Sequence, residues 1–264
     1  MKIATFNVNS LRARLANVLE WLKSESPDVA LFQEIKCTTA EFPRMEFEAL
    51  GYQVEAVGQK SYNGVAILSK TKFTVEHPAL PGNDADEQAR YLEAAVETPE
   101  GSQRPHIRVA TIYLPNGNPV ETEKYPYKLA WMEHLKRRAA DLLKTEEPVV
   151  LGGDYNVIPT DADVYDPVAW AEDALARPQT RAKFREILHL GYTDAFQHLH
   201  PEGHRYTFWD YQAGAWQRDN GLRIDHLLLS PQAADCLEKC EIDRTPRGKE
   251  KPSDHTPIWV ELRV

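Results

Sequence analysis

The chain has 264 residues, of which 42% are hydrophobic and 27% charged, a composition that is ordinary for a globular protein in water. No apolar run is long enough to span a membrane and the first residues carry no signal-peptide pattern, so we expect neither a membrane protein nor a secreted one. The formal net charge of −9 disfavours binding to a polyanion through overall charge, although a local basic patch can still bind one.

The cysteines are few and odd in number: Cys37, Cys236 and Cys240. That count argues against a disulfide scaffold and predicts a reducing, cytoplasmic setting. Cys236 and Cys240 have the spacing to share one helix face and a metal ion, but two thiols without a nearby histidine make a poor zinc site. Burial in the core is the favoured interpretation of both.

The first elements are a strand, a helix and a second strand. Apolar residues at alternating positions predict a strand over Lys2–Val8. Leucines at helical spacing predict a helix over Leu11–Ser24, with Ser10 as its N-cap. A second buried strand follows at Asp28–Phe32.

Polar side chains stand where these two strands end. Asn7 and Asn9 close the first strand, and Glu34 follows the second. Because a helix joins two neighbouring strands here, we expect Asn7 and Glu34 to lie close together. Arg12 lies at the start of the helix, where a basic residue favours the binding of an anion. The alternative explanation is that Arg12 only keeps the surface soluble.

Short strands separated by turn residues predict antiparallel sheet in the next part of the chain. They cover Tyr52–Val57, Gly64–Ser69, Tyr91–Glu97 and Ile107–Leu114. The last strand runs into a rigid polar loop that contains Asn116. Tyr113 either presents its hydroxyl to a phosphate or fills the core with its tip in water, and core filling is the default.

A helix over Glu123–Lys144 precedes a short apolar strand that ends in the letters L-G-G-D-Y-N, residues 151–156. The two glycines let the backbone leave the strand tightly. Asp154 and Asn156 are two positions apart, so in extended geometry they share one face, where a carboxylate and an amide suit phosphate chemistry. Taken alone, an Asx turn in which both bond their own backbone explains the motif as well or better.

The stretch Val157–Arg181 has no sheet pattern, and we expect a functional loop with short helices. A helix resumes over Thr180–Leu190, and Gly191 closes it. Basic residues cluster over Arg177–Arg185 and again over Arg244–Lys251. Each cluster is either a solvated surface or an anion-binding patch.

The last third of the chain carries an aromatic segment, Tyr206–Tyr211, and two acidic positions next to strands. Asp225 lies in a buried strand, and a buried carboxylate requires a partner. The pair Asp254-His255 precedes the final strand, Ile258–Leu262, which is a suitable setting for an oriented imidazole. Because strands and helices interleave without a linker or repeat, we expect one α/β domain over 1–264 with two packed sheets.

These strand-end side chains form one chemical set: Asn7 with Asn9, Glu34, Asp154 with Asn156, Asp225, and Asp254 with His255. Oxygen ligands without cysteine or clustered histidine fit Mg²⁺ or Mn²⁺ better than zinc. A metal held by Glu34 would polarise a phosphate, and Asp154 would deprotonate a water. His255, oriented by Asp225, would stabilise negative charge at phosphorus. The set predicts metal-assisted phosphodiester hydrolysis.

The motifs resemble, in sequence and in order, those of the exonuclease III family of abasic-site DNA repair endonucleases. The motifs are N-V-N-S-L-R-A-R, L-F-Q-E-I-K, Y-L-P-N-G, G-G-D-Y-N-V-I-P-T-D, F-W-D-Y, G-L-R-I-D-H-L-L-L-S and K-P-S-D-H-T-P, and they run from the first strand to the last. The Q-E, G-D-x-N and S-D-H elements are shared with the broader endonuclease/exonuclease/phosphatase superfamily, whereas L-R-I-D-H-L-L-L-S is specific to the DNA repair branch.

The resemblance implies a four-layer α/β sandwich, in which two mostly antiparallel sheets pack together between helices. It implies a Mg²⁺-dependent enzyme, with Mn²⁺ as an alternative, that cuts duplex DNA 5′ to abasic sites. The 3′→5′ exonuclease and 3′-phosphatase or 3′-phosphodiesterase activities would use the same site. Its partner would be double-stranded DNA with abasic sites or damaged 3′ ends, and the enzyme would act as a monomer on the nucleoid, away from membranes.

The resemblance also implies roles for matching residues. The catalytic residues would be Asp154, which activates the water, Asn156, which stabilises the transition state, Tyr113, which contacts the scissile phosphate, and the pair Asp225 and His255. The metal-binding residues would be Glu34, Asn7 and Asp254, with Asp154 and Asn156. The pocket for a base-less sugar would be formed by Phe208, Trp209, Leu222 and Ile224. The other phosphate or DNA contacts would be Asn9, Arg12, Asn116 and Arg181.

Alternatives remain at this stage. Core packing is the other explanation for the four apolar pocket residues. The same chemistry would serve a phosphoesterase that acts mainly on 3′-blocked DNA ends or on a small phosphate ester, and a DNA-binding module with an inactive site is the non-enzymatic alternative. Ser10 stands where many family members have glycine, and Asn9 where the mammalian enzymes have aspartate, which could weaken a metal contact.

Overall fold

Two six-stranded sheets pack face to face in the computed structural model, which describes residues 1–203 and 205–264. The first sheet contains β1 (Lys2–Asn7), β2 (Val29–Gln33), β3 (Gln53–Val57), β4 (Val65–Ser69), β11 (Leu237–Ile242) and β12 (Ile258–Leu262). The second sheet contains β5 (Phe73–His77), β6 (Tyr91–Glu97), β7 (His106–Tyr113), β8 (Val149–Asp154), β9 (Thr193–Asp194) and β10 (Asp225–Leu229).

The strand order is β11-β12-β1-β2-β4-β3 in the first sheet and β5-β6-β7-β8-β10-β9 in the second. In each sheet one central pair is parallel, β1 with β2 and β7 with β8. The other neighbours pair antiparallel. The expectation of two packed, mostly antiparallel sheets is therefore confirmed.

The helices are α1 (Leu11–Glu25), α2 (Arg44–Glu48), α3 (Lys124–Leu143), α4 (Pro167–Trp170), α5 (Pro178–His189), α6 (Ala195–Leu199), α7 (Ala215–Arg218) and α8 (Pro231–Ala234). Helices α1 and α2 cover the outer face of the first sheet, α3 and α5 cover that of the second, and the shorter helices lie at the edges and in loops. Short 3₁₀ turns lie at Thr39–Glu41, Asp161–Asp163 and Thr245–Gly248. Throughout the part of the chain that the structure describes, every helix is too short or too polar to cross a membrane.

One apolar layer lies between the sheets and one lies beneath the helices on each side, so three apolar layers separate four layers of secondary structure. Leu31 of β2 points into the layer between the sheets, whereas its neighbour Phe32 points outward beneath α1, where it meets Phe6 and Phe47. Successive side chains of a strand face opposite ways, so a central strand needs apolar residues on both faces. On the other side of the molecule, Trp131 of α3 packs on the outer face of the second sheet.

Some local details differ from expectation. Ser10 occupies the N-cap position of α1, as predicted, but its φ is 80° and its hydroxyl makes no capping hydrogen bond. The backbone N–H groups of Ser10 and Leu11 instead donate to the carbonyls of Glu34 and Ile35, 2.8 and 3.1 Å away. Cys240 lies in strand β11 and not on a helix, although its burial in the core is as expected.

The segment between β8 and α5 is a long loop that contains one 3₁₀ turn and the single-turn helix α4, in agreement with the expected loop with short helices. The loop that follows the aromatic segment Tyr206–Tyr211 carries α7. Helix α5 begins at Pro178, two residues before the predicted start, because proline is favoured in the first turn of a helix.

Candidate active site

The site lies where β1, β2 and β8 end and β10 begins, at one edge of the two packed sheets. The parallel register aligns Asn7 with Gln33, so that Glu34 follows directly beside Asn7. In the second sheet, Asp225 pairs with Asp154. The amide nitrogen of Asn7 joins the sheets, since it donates to Glu34 Oε1 at 2.8 Å and to Asp154 Oδ2 at 2.9 Å. The expected proximity of these strand ends is therefore observed.

An imidazole lies between two carboxylates of the second sheet. His255 Nδ1 is 2.8 Å from Asp225 Oδ2, and His255 Nε2 is 3.6 Å from Asp154 Oδ2. All three side chains are buried. Burial alone would lower the pKa of His255, but the charges of Asp225 and Asp154 outweigh it and raise the pKa to about 10. The imidazole is therefore a cation at neutral pH.

Asp154 is the carboxylate at the centre of the arrangement. Its Oδ1 accepts from the backbone N–H of Asn156 at 2.9 Å. Burial raises the pKa of Asp154 to about 7, the charges of Asp225 and Glu34 act in the same direction, and the His255 cation opposes them. A carboxylate with a pKa near neutrality is suited to take a proton from a water molecule.

Glu34 is held in place by a lysine that the sequence analysis did not single out. Lys36 Nζ lies 2.9 Å from Glu34 Oε2 and donates to Asn9 Oδ1 at 2.6 Å. Burial opposes the ionisation of Glu34, but Lys36 and the amide of Asn7 outweigh it and hold the pKa of Glu34 below its usual value. Glu34 is thus an anion at neutral pH. The backbone φ of Glu34 is 51°, in the left-handed region, where residues other than glycine are strained.

Three ligand atoms, one each from Glu34, Asp154 and His255, lie within 4.8 Å of one another. Asp254 lines the same cavity, and its Oδ1 accepts from Asn9 Nδ2 at 2.9 Å. The carboxylate oxygens among these groups suit a hard divalent cation. The carboxylates of Glu34, Asp154 and Asp254 therefore fit a metal ion, whereas the protonated His255 has no lone pair to offer one.

Two asparagines form a second part of the site. Asn116 Nδ2 donates to Asn156 Oδ1 at 3.1 Å, and Asn156 Nδ2 donates to the carbonyl of Leu114 at 2.9 Å. Beneath them lies Lys128 of α3, whose Nζ donates to the backbone carbonyls of Asn116 at 2.9 Å and Asn156 at 2.5 Å. Burial lowers the pKa of Lys128 to about 7, and the charges of Asp154 and Asp173 oppose that shift.

Tyr113 lines the cavity beside these groups. The Arg90 guanidinium lies 4.7 Å from the centre of its ring. Burial and the charges of Glu34 and Asp154 raise the pKa of Tyr113 well above its usual value. Its hydroxyl therefore stays protonated and remains a hydrogen-bond donor.

A cavity of about 320 Å³ opens over the carboxylates, and one of its walls is apolar. Three of the four expected pocket residues line it, namely Phe208, Leu222 and Ile224. Backbone bridges fix the wall, because Phe208 pairs with both Leu222 and His255. The ring of Phe208 also meets the imidazole edge-on, with centroids 5.0 Å apart.

Trp209 does not line this cavity, which corrects the expectation for that residue. The segment is extended here, so Trp209 points away from the face that Phe208 occupies. It is fully buried, donates from Nε1 to Asp219 Oδ1 at 3.0 Å and meets the ring of Trp216 edge-on at 4.8 Å. Trp209 is therefore a core residue, which was the alternative to a role in the pocket.

The sequence analysis missed the residues that the loop between β8 and α5 brings to the cavity. Trp170, Asp173 and Leu175 line it, and so do Asn118 and Asp210. Asn118 Nδ2 donates to Asp173 Oδ1 at 3.1 Å, which fastens the loop after β7 to the loop after β8. No sequence pattern predicted this contact, because it joins two irregular segments.

The two arginines expected to contact DNA differ in their surroundings. Arg181 donates to the carbonyl of Ile158 at 2.9 Å and to Asp161 Oδ1 at 2.8 Å, and it does not line the cavity. Its guanidinium is therefore engaged, which argues against the expected phosphate contact. Arg12 is exposed, with only a 3.7 Å approach to Glu41.

Comparison with known proteins identifies the family. A model of the endonuclease/exonuclease/phosphatase family matches residues 4–255. Exodeoxyribonuclease III of Haemophilus influenzae is 32% identical, and the match covers 100% of both chains. An AP endonuclease from Archaeoglobus fulgidus superposes with a TM-score of 0.92 at 37% identity, covering 100% of both chains.

A 3′-5′ exonuclease from Neisseria meningitidis superposes with a TM-score of 0.93 at 39% identity, and the match again covers 100% of both chains. These similarities extend over the strands that carry the site as well as over the flanking helices. The chain belongs to the endonuclease/exonuclease/phosphatase family, in its exonuclease III and AP endonuclease branch, and is a hydrolytic DNA repair nuclease.

Proposed function

We propose that this nuclease cuts duplex DNA on the 5′ side of abasic sites and that the same site trims damaged 3′ ends. The observation that carries the proposal is the contact between the apolar wall and the catalytic groups. Phe208 touches the imidazole of His255, while Leu222 and Ile224 line the same cavity. A flipped-out sugar without a base would pack on this wall with its phosphate over Asp154.

The residues that would hold a metal ion are Glu34, Asn7 and Asp254, with Asp154 and Asn156 at the same edge. We propose Mg²⁺, with Mn²⁺ as the alternative, because carboxylate and amide oxygens predominate there and no cysteine lies among them. When bound, the ion supplies positive charge that polarises the phosphate.

The protein's own groups would carry the remaining chemistry. Asp154 would take a proton from the attacking water, whose oxygen bonds to phosphorus as the bond to the leaving 3′ oxygen breaks. The His255 cation, held by Asp225, would donate to a phosphate oxygen as negative charge develops there.

Two neutral donors would complete the contacts to the phosphate. The hydroxyl of Tyr113 is protonated and lines the cavity, so it would donate to a second phosphate oxygen. Asn156 would contact the phosphate from the side opposite Tyr113, and Asn116 would remain hydrogen-bonded to Asn156. We propose that Asn9 and Arg12 meet the DNA backbone, because Asn9 lies in the short loop after β1 and Arg12 lies in the first turn of α1.

The test uses a 5′-labelled duplex with one abasic analogue, incubated with Mg²⁺ or with a chelator. The matched substrates are the undamaged duplex, a duplex with a 3′-phosphate end and a soluble phosphate ester. We expect a single nick 5′ to the lesion that requires the metal, together with slower shortening from the 3′ end. Products from the 3′ end alone, or hydrolysis of the soluble ester alone, would overturn the proposal.

We also propose that the enzyme acts as a monomer in the cytoplasm. Support for the cytoplasm comes from Cys37, Cys236 and Cys240, all of which are free thiols. Glu34, Asp154 and His255 converge within one chain, so the proposed chemistry needs no residue from a second subunit. Sedimentation of the enzyme with and without the abasic duplex would test the stoichiometry.

A further inference from the structure

A fully buried lysine lies directly beneath the two asparagines of the site. Lys128 of α3 is 0% exposed, and its Nζ donates to the backbone carbonyls of Asn116 and Asn156 at 2.9 and 2.5 Å. A buried ammonium is costly unless it is hydrogen-bonded, and here it has no carboxylate within ion-pair distance among the described residues. Stability alone would favour an apolar residue at this position.

The two carbonyls belong to loops that end different strands. Asn116 follows β7 and Asn156 follows β8, while Lys128 projects from a 20-residue helix that packs on the same sheet. The lysine therefore ties both loops to one rigid element. The side chains of the two asparagines are hydrogen-bonded to each other at 3.1 Å, so their separation depends on both backbones.

The backbone around the lysine is closely fitted to it. A Cβ at Gly117 would lie 2.7 Å from Lys128 Cδ. Only glycine therefore fits where the backbone crosses the aliphatic part of the lysine side chain. Asn156 has a φ of 48°, a strained conformation that the surrounding contacts must maintain. The bond from Lys128 to the carbonyl of this residue is one of those contacts.

We infer that Lys128 is a positioning residue, which holds the backbones of Asn116 and Asn156 so that their amides meet the scissile phosphate in a fixed arrangement. The inference rests on the proposed function, in which Asn156 faces that phosphate. Lys128 itself is covered by protein and does not touch substrate. Its loss should therefore slow the chemical step more than it weakens DNA binding.

The experiment compares Lys128→Met with Arg138→Met, a control on the same helix. Arg138 also forms buried hydrogen bonds, to Glu93 at 2.7 and 2.9 Å, but it lies ten positions further along α3 and contacts neither asparagine. Both variants are assayed at a temperature where each is fully folded. We expect Lys128→Met to lower kcat by about 10- to 100-fold with a much smaller change in KM. Arg138→Met should lose thermal stability only.

A second comparison separates positioning from general destabilisation. If Lys128 acts through the asparagines, kcat of the double variant Lys128→Met/Asn156→Ala should lie near that of the slower single variant. Single losses that simply multiply would overturn the inference, as would equal kcat losses in Lys128→Met and Arg138→Met.

Rates are measured on the abasic duplex and, in parallel, on an undamaged duplex with a recessed 3′ end. If the wild type leaves the abasic duplex intact, the proposed function fails. The effect of Lys128→Met is then still read from shortening of the 3′ end, so the two failures are distinguishable.

Discussion

His255 Nδ1 lies 2.8 Å from Asp225 Oδ2, while Nε2 of the same ring lies 3.6 Å from Asp154 Oδ2. The two aspartates are paired residues on the antiparallel strands β8 and β10. The ring is therefore fixed by one carboxylate and directed at the other. Because all three groups are buried, the attraction between their charges is little weakened by solvent.

This geometry predicts that Asp225 and His255 act as a unit. His255→Ala should lower kcat by roughly 10²- to 10³-fold, because a preorganised donor to the phosphate is lost. Asp225→Ala should also lower kcat, because the imidazole of His255 is then no longer held in place. The double variant Asp225→Ala/His255→Ala should be little slower than His255→Ala. Effects that multiply in single-turnover rates would show that the two side chains act independently.

Asp154→Asn should abolish turnover while DNA binding is largely retained. The substitution keeps the shape of the side chain and its contact to the backbone N–H of Asn156, but it removes the group that takes the proton. We expect kcat to fall by roughly 10²- to 10⁴-fold. Fluorescence anisotropy with a labelled duplex measures binding in parallel. Activity within a few-fold of wild type would exclude Asp154 as the base.

Removal of divalent ions should stop cleavage, and added Mg²⁺ should restore it. Glu34→Gln removes one anionic ligand, so about 10- to 100-fold more Mg²⁺ should be needed for half-maximal rate. Glu20→Gln is the matched control, since Glu20 is an exposed carboxylate paired with Lys249 on the surface. A normal Mg²⁺ requirement in Glu34→Gln would exclude Glu34 as a ligand.

The strands whose bounds were predicted correctly from the sequence are those with a clear apolar pattern. Strands β6 and β12 have the predicted bounds; β12 alternates buried and half-buried residues, and β6 is buried over most of its length. Strand β5 was missed because Phe73–His77 lies at an edge and contains no buried residue. Strand β11 was missed because an irregularity between Leu237 and Lys239 shifts its register and breaks the alternation.

The candidate site followed from sequence to the extent that its residues lie at strand ends. Asn7 and Glu34 were predicted as neighbours because strand pairing brings such ends together, whereas Asp154 was assigned to the same site from its chemistry. Lys128 was not predicted, because a single lysine on an amphipathic helix gives no sign that it will be buried. Trp170 and Asp173 were missed because an irregular loop, whose path no periodicity reveals, carries them to the cavity.

The two neighbouring aromatics Phe208 and Trp209 should respond differently to truncation. Phe208→Ala removes part of the cavity wall and should slow cleavage at abasic sites more than removal of a 3′ phosphate. Trp209→Ala empties a fully buried position, so it should lower the free energy of unfolding by about 3–5 kcal/mol. Urea denaturation and the ratio of the two activities measure these effects. If Trp209→Ala changed that ratio as Phe208→Ala does, the side chain would belong to the pocket after all.

The buried Lys128 should make stability depend on pH. Burial lowers the pKa of this group from 10.5 to about 7, so in this range the unfolded chain holds the proton more tightly than the folded protein does. Between about pH 7 and pH 10.5 the free energy of unfolding should therefore rise with pH, by at most about 1.4 kcal/mol per pH unit from this one residue.

In Lys128→Met that contribution is absent, and groups that titrate in both proteins cancel in the difference. Urea denaturation at pH 7, 8 and 9 with a chelator present should thus show a steeper rise for the wild type than for the variant. Parallel curves would mean that Lys128 keeps an ordinary pKa, which requires that water or an anion reaches its ammonium in the folded protein.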